Sequence, residues 1–581
     1  MNIRNRGFFA ILALLFAGFM VSCGGNQSSG VTIIIGQGTD PVILDGPMYS
    51  DTPTHNINLV LYNRLYELNA SGELYPDLAL AMPLIEENGT KYTIEIKQGV
   101  TFHNGNPLTI DDVLYSFKRA AFHERSQMKS IFAMMYNVEK IDDFTFTFRT
   151  GQFDATKAPA GVTNGSLTSF EERGEYYTPL AFGSQVNQLS WLGASIKNKA
   201  AMEAAEADGS IANYGQDWAI GTGPFKFVKW DEGYSVTLER FDNYFDKSIS
   251  TNADRLIFQT IRDPSALKTA FINREVDLIM NVVPLDAREL EGRGARILTT
   301  AGHFGYHYLG FNMNSPRVGQ VNANGTPDRS GVYNLNSNST LLRMAVLHSV
   351  NTRDIVDSPD IMDGRGIVSL QYVETLPFGR IEETAGTRLE DGNSDSGYYN
   401  PEKAREIFDR LPESLKQPGS LTLTALSGSV HVRQAQIVKD QVRRTLGVDL
   451  INIEQVALSE LATRRRNSDP AVWDLIVNWT QTDDSYYIFV AFDASNTSLL
   501  ADTKYYTTAA QQWIERGNSL PNGPERHAAY QSAHKIILDA MPRLPLVAHL
   551  GLSVSQQTIE GVELSPSGSF RLVNAVKTER K

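Results

Sequence analysis

Residues 92–118 read YTIEIKQGVTFHNGNPLTIDDVLYSFK, and this stretch decides the fold. Tyr92, Ile94 and Ile96 alternate with Thr93, Glu95 and Lys97, the period-two pattern of a half-buried strand. Gly99 breaks the strand. Phe102-His103-Asn104-Gly105-Asn106-Pro107 then supplies turn chemistry, because Asn-Gly tolerates positive φ. Thr109 followed three residues later by Asp112 predicts a capped helix start. Val113, Leu114 and Phe117 share one face of that helix. His103 reads as packing the turn, since no other metal-ligand type clusters near it.

Outward from this block, the amino terminus looks like an export signal. Arg4 and Arg6 precede an apolar run from Gly7 to Val21, too short for a membrane span. Met20-Val21-Ser22-Cys23 follows and resembles a bacterial lipobox, with Met20 where leucine is usual. Cys23 is the single cysteine of the 581-residue chain, so no intrachain disulfide can form. Its place after the apolar run predicts lipidation and membrane anchoring, and residues 23–30 then form a lipidated tether. The formal charge of −13 becomes −15 when residues 1–22, with two arginines and no acid, are removed. An acidic, dispersed charge argues against nucleic acid as a partner. A mature chain of this length needs more than one core.

Further along, Val31–Ile35 predicts a buried strand, Phe144–Phe148 an alternating one, and Lys199–Ala207 a helix. A helix is expected over Ala266–Glu275 and a strand over Val276–Met280. Residues 315–339 read as a polar loop, and Met344, Leu347 and His348 as packing positions of a helix. Gly221-Thr222-Gly223 lacks the rest of a nucleotide fingerprint and reads as a bend where the chain re-enters its first domain. Arg464-Arg465-Arg466 could meet an acidic ligand group or simply be a solvated helix face. Hydrolase signatures are missing: there is no Gly-x-Ser-x-Gly and no His-Glu-x-x-His. Ser126-x-x-Lys129 and Ser265-x-x-Lys268 both fit a penicillin-binding pattern without its Lys-Thr-Gly partner.

The 92–118 block resembles the signature of the extracytoplasmic solute-binding proteins, family 5, which serve peptide- and nickel-type ABC importers. Asn104 stands where that family usually has aspartate. Other landmarks are similar: Pro41–Asp45, with Gly46 in place of a proline; Tyr75–Ala79; Gly221–Trp230 with Asn243–Phe245; Tyr308–Asn312; Leu341–Asp354; Tyr399–Arg405; Trp473–Trp479; and Arg526–Leu546. The resemblance is weakest at 150–217 and 360–395.

That resemblance implies an α/β, periplasmic-binding-protein-like type II fold, with two large lobes joined by hinge strands and a small inserted domain. The expected division is signal peptide 1–22, lobe I from 31–72, 218–308 and 546–581, inserted domain 73–217, and lobe II 309–545. It implies an exported, monomeric lipoprotein, anchored through Cys23 in the cell envelope. Such a protein captures a peptide between the lobes and delivers it to permease and ATPase subunits of an importer. It needs no cofactor or metal and has no catalytic residues. In peptide-binding relatives the ligand backbone pairs with two strand edges. Here these fall at Ser50-Asp51-Thr52 and at Asn478-Trp479-Thr480. Trp479 carries two readings, ligand contact and core packing. Three residues beyond that tryptophan the relatives carry an aspartate for the peptide amine. This chain has Thr482, followed by Asp483 and Asp484. Either a neighbouring carboxylate takes over, Asp483 first, or the ligand is a non-peptide solute such as an oligosaccharide, a nickel chelate or an opine. A secreted hydrolase is the rival from another class.

Overall fold

The computed structural model describes residues 30–48, 51–212, 218–322, 324, 326–328, 330, 332, 334–376, 378–481, 485–493 and 502–579. Cys23, Ser50, Thr482 and Asp483 lie outside the described residues.

Three sheets organise the chain. The first has seven strands in the order Arg296–Thr299, Leu552–Ser555, Leu278–Ile279, Thr32–Gln37, Arg255–Thr260, Ser235–Arg240, Phe225–Asp231. Thr32–Gln37 lies parallel to both of its neighbours and buries Ile33 and Ile35. The second sheet has six strands: Gly366–Val368, Arg543–His549, Gly305–Phe311, Leu475–Gln481, Leu421–Leu426, Ile451–Val456. Gly305–Phe311 is buried at every position and is flanked by strands on both sides. The third sheet holds Leu84–Glu86, Lys91–Glu95, Thr145–Phe153 and Met135–Lys140, with Tyr177–Pro179 on Thr145–Phe153.

The 92–118 block folds as its pattern demands. The strand runs Lys91–Glu95 and the helix Ile110–Phe122. Asp112 completes the capping box by accepting the Thr109 N–H at 3.1 Å. Its other oxygen accepts the Lys199 N–H at 2.9 Å, fixing the start of helix Lys199–Asp208. His103 does pack the turn. Its Nδ1 accepts the Gly221 N–H at 3.2 Å, which leaves Nε2 to donate to the Gly223 carbonyl at 3.0 Å. Gly221 and Gly223 lie against the end of helix Thr52–Leu61. A Cβ on Gly223 would stand 2.3 Å from the Val60 carbonyl oxygen. The bend then feeds strand Phe225–Asp231 into the first sheet.

Asp45 is fully buried, 2.8 Å from Arg119 Nη2 of the inserted helix and 3.9 Å from Lys197 Nζ. Gly46, where the family resemblance expects proline, packs on Leu192, whose Cγ would be 2.7 Å from an added Cβ. Arg464 pairs within its own lobe with Glu454 and Glu460, at 2.7 and 2.9 Å, and Arg465 lies 3.5 Å from Asp502. Neither is available as an acidic-ligand site. His348 Nδ1 bonds the Tyr398 carbonyl at 2.8 Å, a packing role.

Two of the expected boundaries coincide with strands. Cuts after 308 and before 546 each fall inside a strand of the second sheet. Gly305 pairs with Gln481 on one side and His549 on the other, and this ladder holds the whole of both strands together. The chain passes between the first and second sheets at 300–304 and 550–551, between Thr299 paired to Leu552 and Gly305 paired to His549. These crossings run side by side. The Thr300 N–H donates to the Gly551 carbonyl at 3.1 Å, and the Gly551 N–H to Thr300 Oγ1 at 2.9 Å. The strand expected over 276–280 is only Leu278–Ile279, and the helix before it is Pro264–Ile272.

Candidate functional site: a cleft between the lobes

A cleft of about 930 Å³ lies over the paired crossings. One wall comes from the first sheet's body: Asp51, Thr52 and His55, the segment 281–284, Ser567 and Ser569. The facing wall comes from the second: His307, Ile361, Met362, Arg365, Ser429–His431 and Trp479. His549 to Leu552 form the floor.

Cross-strand register decides which side chains face the guest space. His307 stands opposite Trp479, and Tyr308 opposite Asn478. Because side chains alternate, one pair looks into the cleft and the other into the core. Asn478 is therefore buried, its Nδ2 donating to Tyr308 OH at 3.1 Å within a network that includes Asp502 and Arg543. Trp479 is 45 % exposed. Around it lies a patch of imidazoles. The His307 ring is 5.1 Å from that of His549, 5.6 Å from that of His431 and 6.4 Å from the indole. Burial pushes His431 and His549 down to about 4, and His307 well below its ordinary value with the other two adding to the effect. The imidazole patch around Trp479 is thus uncharged at neutral pH.

Ser429 and His431 make a contact of 3.2 Å, yet the hydroxyl donates to the Leu426 carbonyl at 2.7 Å and caps the helix Val430–Leu446. That proton is committed to a backbone carbonyl, so the pair is a helix cap and lacks the base geometry of an activated nucleophile. Among the described residues no group of three or more His, Cys, Asp or Glu could hold a metal ion.

The two walls also touch. Arg288 meets Asp363 at 2.9 Å, and Arg365 meets Glu291 at 2.7 Å, both pairs spanning the cleft mouth. On the other flank Trp191 of the inserted domain stacks on Tyr487 at 4.3 Å, and Arg526 Nη2 donates to Ser184 Oγ at 2.6 Å. Contacts thus bridge the walls on both flanks of the cleft.

A sequence profile of the bacterial extracellular solute-binding proteins, family 5 Middle, matches residues 73–497. The chain belongs to this family. Its sequence is similar to the oligopeptide-binding protein AppA of Bacillus subtilis, 20% identical over 95% of each chain. It is similar in the same way to the dipeptide-binding protein DppE of that organism, 20% identical over 97% of each. Among solved structures it is similar to CtaP, an ABC transporter substrate-binding protein from Listeria monocytogenes. The TM-score is 0.72 at 20% identity, over 95% of this chain and 100% of that one. It is also similar to DppA from Helicobacter pylori in complex with the peptide STSA. That match has a TM-score of 0.69 at 18% identity, covering 95% and 98%. The fold is the type II periplasmic-binding-protein-like arrangement of family 5.

Of the residues singled out from sequence, the structure brings Asp51, Thr52 and Trp479 to the cleft. It does not bring Asn478, whose side chain turns inward, and Thr480 is not part of the lining. Asp51 and Thr52 are also not a strand edge. Asp51 is the N-cap of helix Thr52–Leu61, accepting the Thr54 N–H at 2.8 Å, and Pro53 in the first turn commits the chain to helix. The second expected edge is better founded. The ladder to Leu421–Leu426 stops at Thr424 opposite Ile476, so residues 477–481 have no strand partner on that side among the described residues. Sequence reasoning missed His307, His431 and His549. His307 adjoins the recognised Tyr308–Asn312 segment, but only the register against Trp479 reveals which way it faces.

Proposed function

We propose that this family 5 protein captures peptides in the interlobe cleft, outside the cytoplasmic membrane, and delivers them to the permease of an ABC importer without transforming them. The observation that carries the reading is the cleft itself. A guest space of about 930 Å³ is lined by two bodies joined through short paired crossings, and beside its ring-lined wall the backbone edge at 477–481 has no strand partner among the described residues. A free strand edge offers main-chain hydrogen bonds to an extended peptide whatever its side chains. Contacts made to both walls are those that favour closure. The names of the AppA, DppE and STSA-bound DppA relatives support peptide as the guest. Export and anchoring through a lipid on Cys23 rest on the amino-terminal sequence, and the monomeric state and partnership with permease and ATPase subunits rest on the family.

A second guest class has one observation in its favour. The half-exposed Trp479 face and the neutral imidazoles beside it would stack on a sugar or another planar solute. Mass spectrometry of whatever co-purifies with the mature chain separates the two. A mixture of short peptides supports the proposal. A single ligand without amide bonds would end the peptide reading and leave capture standing. Turnover of any bound compound would end both.

A further inference from the structure

A smaller chamber of about 190 Å³ adjoins the cleft and shares His55 and Ser567 with it. It lies between helix Thr52–Leu61, residues 190–192 of the inserted domain and residues 565–567. Its lining is unusual in one respect. Arg64 is only 2 % exposed, and of its guanidinium only Nη2 is engaged, donating to Glu67. Nε and Nη1 are buried without an acceptor among the described residues, and so is Trp191 Nε1. Among the described residues lining the chamber, every buried side-chain polar atom without a partner is a donor.

The surrounding charges point the same way. Arg571 lines the chamber as a second cation, donating to Tyr75 OH at 2.9 Å and to the Leu68 carbonyl. Glu67 is the one carboxylate in the lining. Its oxygens are taken by Arg64 and by the Tyr75 hydroxyl, and Arg571 is 3.8 Å away. Asp77 sits behind Arg64, bonded to its backbone N–H and to Asn63, and Glu563 is exposed, 4.0 Å from Arg571. His55 is held neutral by burial and by the Arg64 charge. Two guanidiniums and one carboxylate thus line a space that, at roughly 30 Å³ per water, holds a carboxylate with a few carbons. Buried donors of a cation call for an acceptor, and an anionic one forms the stronger bond.

We propose that this chamber is a carboxylate-binding subsite of the ligand cleft, with Arg64 and the Trp191 N–H as its donors. The proposal rests on the peptide-capture reading. It also ties recognition to closure, because Trp191 is the residue stacked on Tyr487 of the opposite lobe. The carboxylate is either the ligand's chain end or an acidic side chain.

The test is calorimetric titration of the mature protein with Ala-Phe-Ala, its C-terminal amide, and the amides of Ala-Glu-Ala and Ala-Gln-Ala. Each is repeated with Arg64→Lys and with Trp191→Phe, which keeps the stacked ring and removes the N–H. A chain-end site makes the free acid at least tenfold tighter than the amide. A side-chain site makes the Glu amide at least tenfold tighter than the Gln amide. In either case the preference should shrink below threefold in the variants. If Arg64→Lys does not fold, Trp191→Phe and the wild-type comparison still decide. Equal binding of acid and amide forms, or a preference untouched by both variants, overturns the subsite and leaves peptide capture intact. Failure of all four peptides to bind refutes the peptide reading and takes the subsite with it.

Discussion

Replacing Trp479 by alanine tests the cleft most directly. The residue is 45 % exposed, roughly 100 Å² for a side chain of this class. Covering all of that area contributes about 2.5 kcal/mol at roughly 25 cal/mol per Å². Covering half contributes about 1.2 kcal/mol. The dissociation constant of a bound guest should therefore rise between about eightfold and about seventyfold. Trp479→Phe keeps much of the face and should fall between wild type and alanine. Stability should change little, since the indole lies at the cleft surface and the strand is held by its ladder to Gly305–Phe311. Calorimetric titration with the co-purified ligand gives the affinity, and a thermal melt of the empty protein controls for folding. Affinity within twofold of wild type would mean that the guest does not reach the indole. The assignment of this wall as the ligand face would then be wrong.

Three further outcomes follow from the structure. Asp45→Asn leaves the buried Arg119 without its buried carboxylate and should cost about 3 kcal/mol in chemical denaturation, Glu206 offsetting part of the loss; a change below 0.5 kcal/mol, an order-of-magnitude threshold at about the scale of surface pairs, would remove the pair from the stabilising contacts. The double variant Glu291→Gln/Asp363→Asn removes both pairs across the cleft mouth, each worth roughly 0.2–1 kcal/mol at this exposure. The ligand-free protein should then populate wider shapes in small-angle scattering, as should wild type in high salt, and an unchanged radius of gyration in both would count against a latch. His431 and His549 titrate near 4 when folded and near 6.5 when unfolded, so the unfolded chain binds more protons in between. Their contribution is complete above pH 6.5 and is lost as pH falls toward 4, by roughly 1.4 kcal/mol per pH unit for each ring. Denaturation midpoints should fall over that window, less steeply in His549→Gln; an identical slope in the variant would contradict the assignment.

The parts of the molecule legible in the sequence are those whose contacts are local. The strand, turn and capped helix of 92–118 carry their own signals, because Thr109 and Asp112 meet within one helical turn. The bend at Gly221 was legible because two glycines so close together imply a backbone approached by another backbone. The ligand wall was not. Its orientation depends on register between Gly305–Phe311 and Leu475–Gln481, and Tyr308 and Asn478 are 170 residues apart. A one-residue slip would exchange Trp479 for Asn478 at the cleft. The strand edge expected at Asp51-Thr52 is a helix start for a local reason that could have been read: an aspartate two residues before a proline is a helix cap as readily as a strand. Arg64 gave no signal, since a lone arginine in a helix-to-strand connection is ordinary until its buried donors are seen to lack acceptors.

The paired crossings at 300–304 and 550–551 behave like the spine of a book. Bound to each other through Thr300 and Gly551, they would favour swinging of the covers over sliding. The molecule's outline would then vary chiefly along one angle. Guests of different bulk would stop the covers at slightly different settings, and a membrane partner could sense occupancy from the outer contour without ever touching what is held inside.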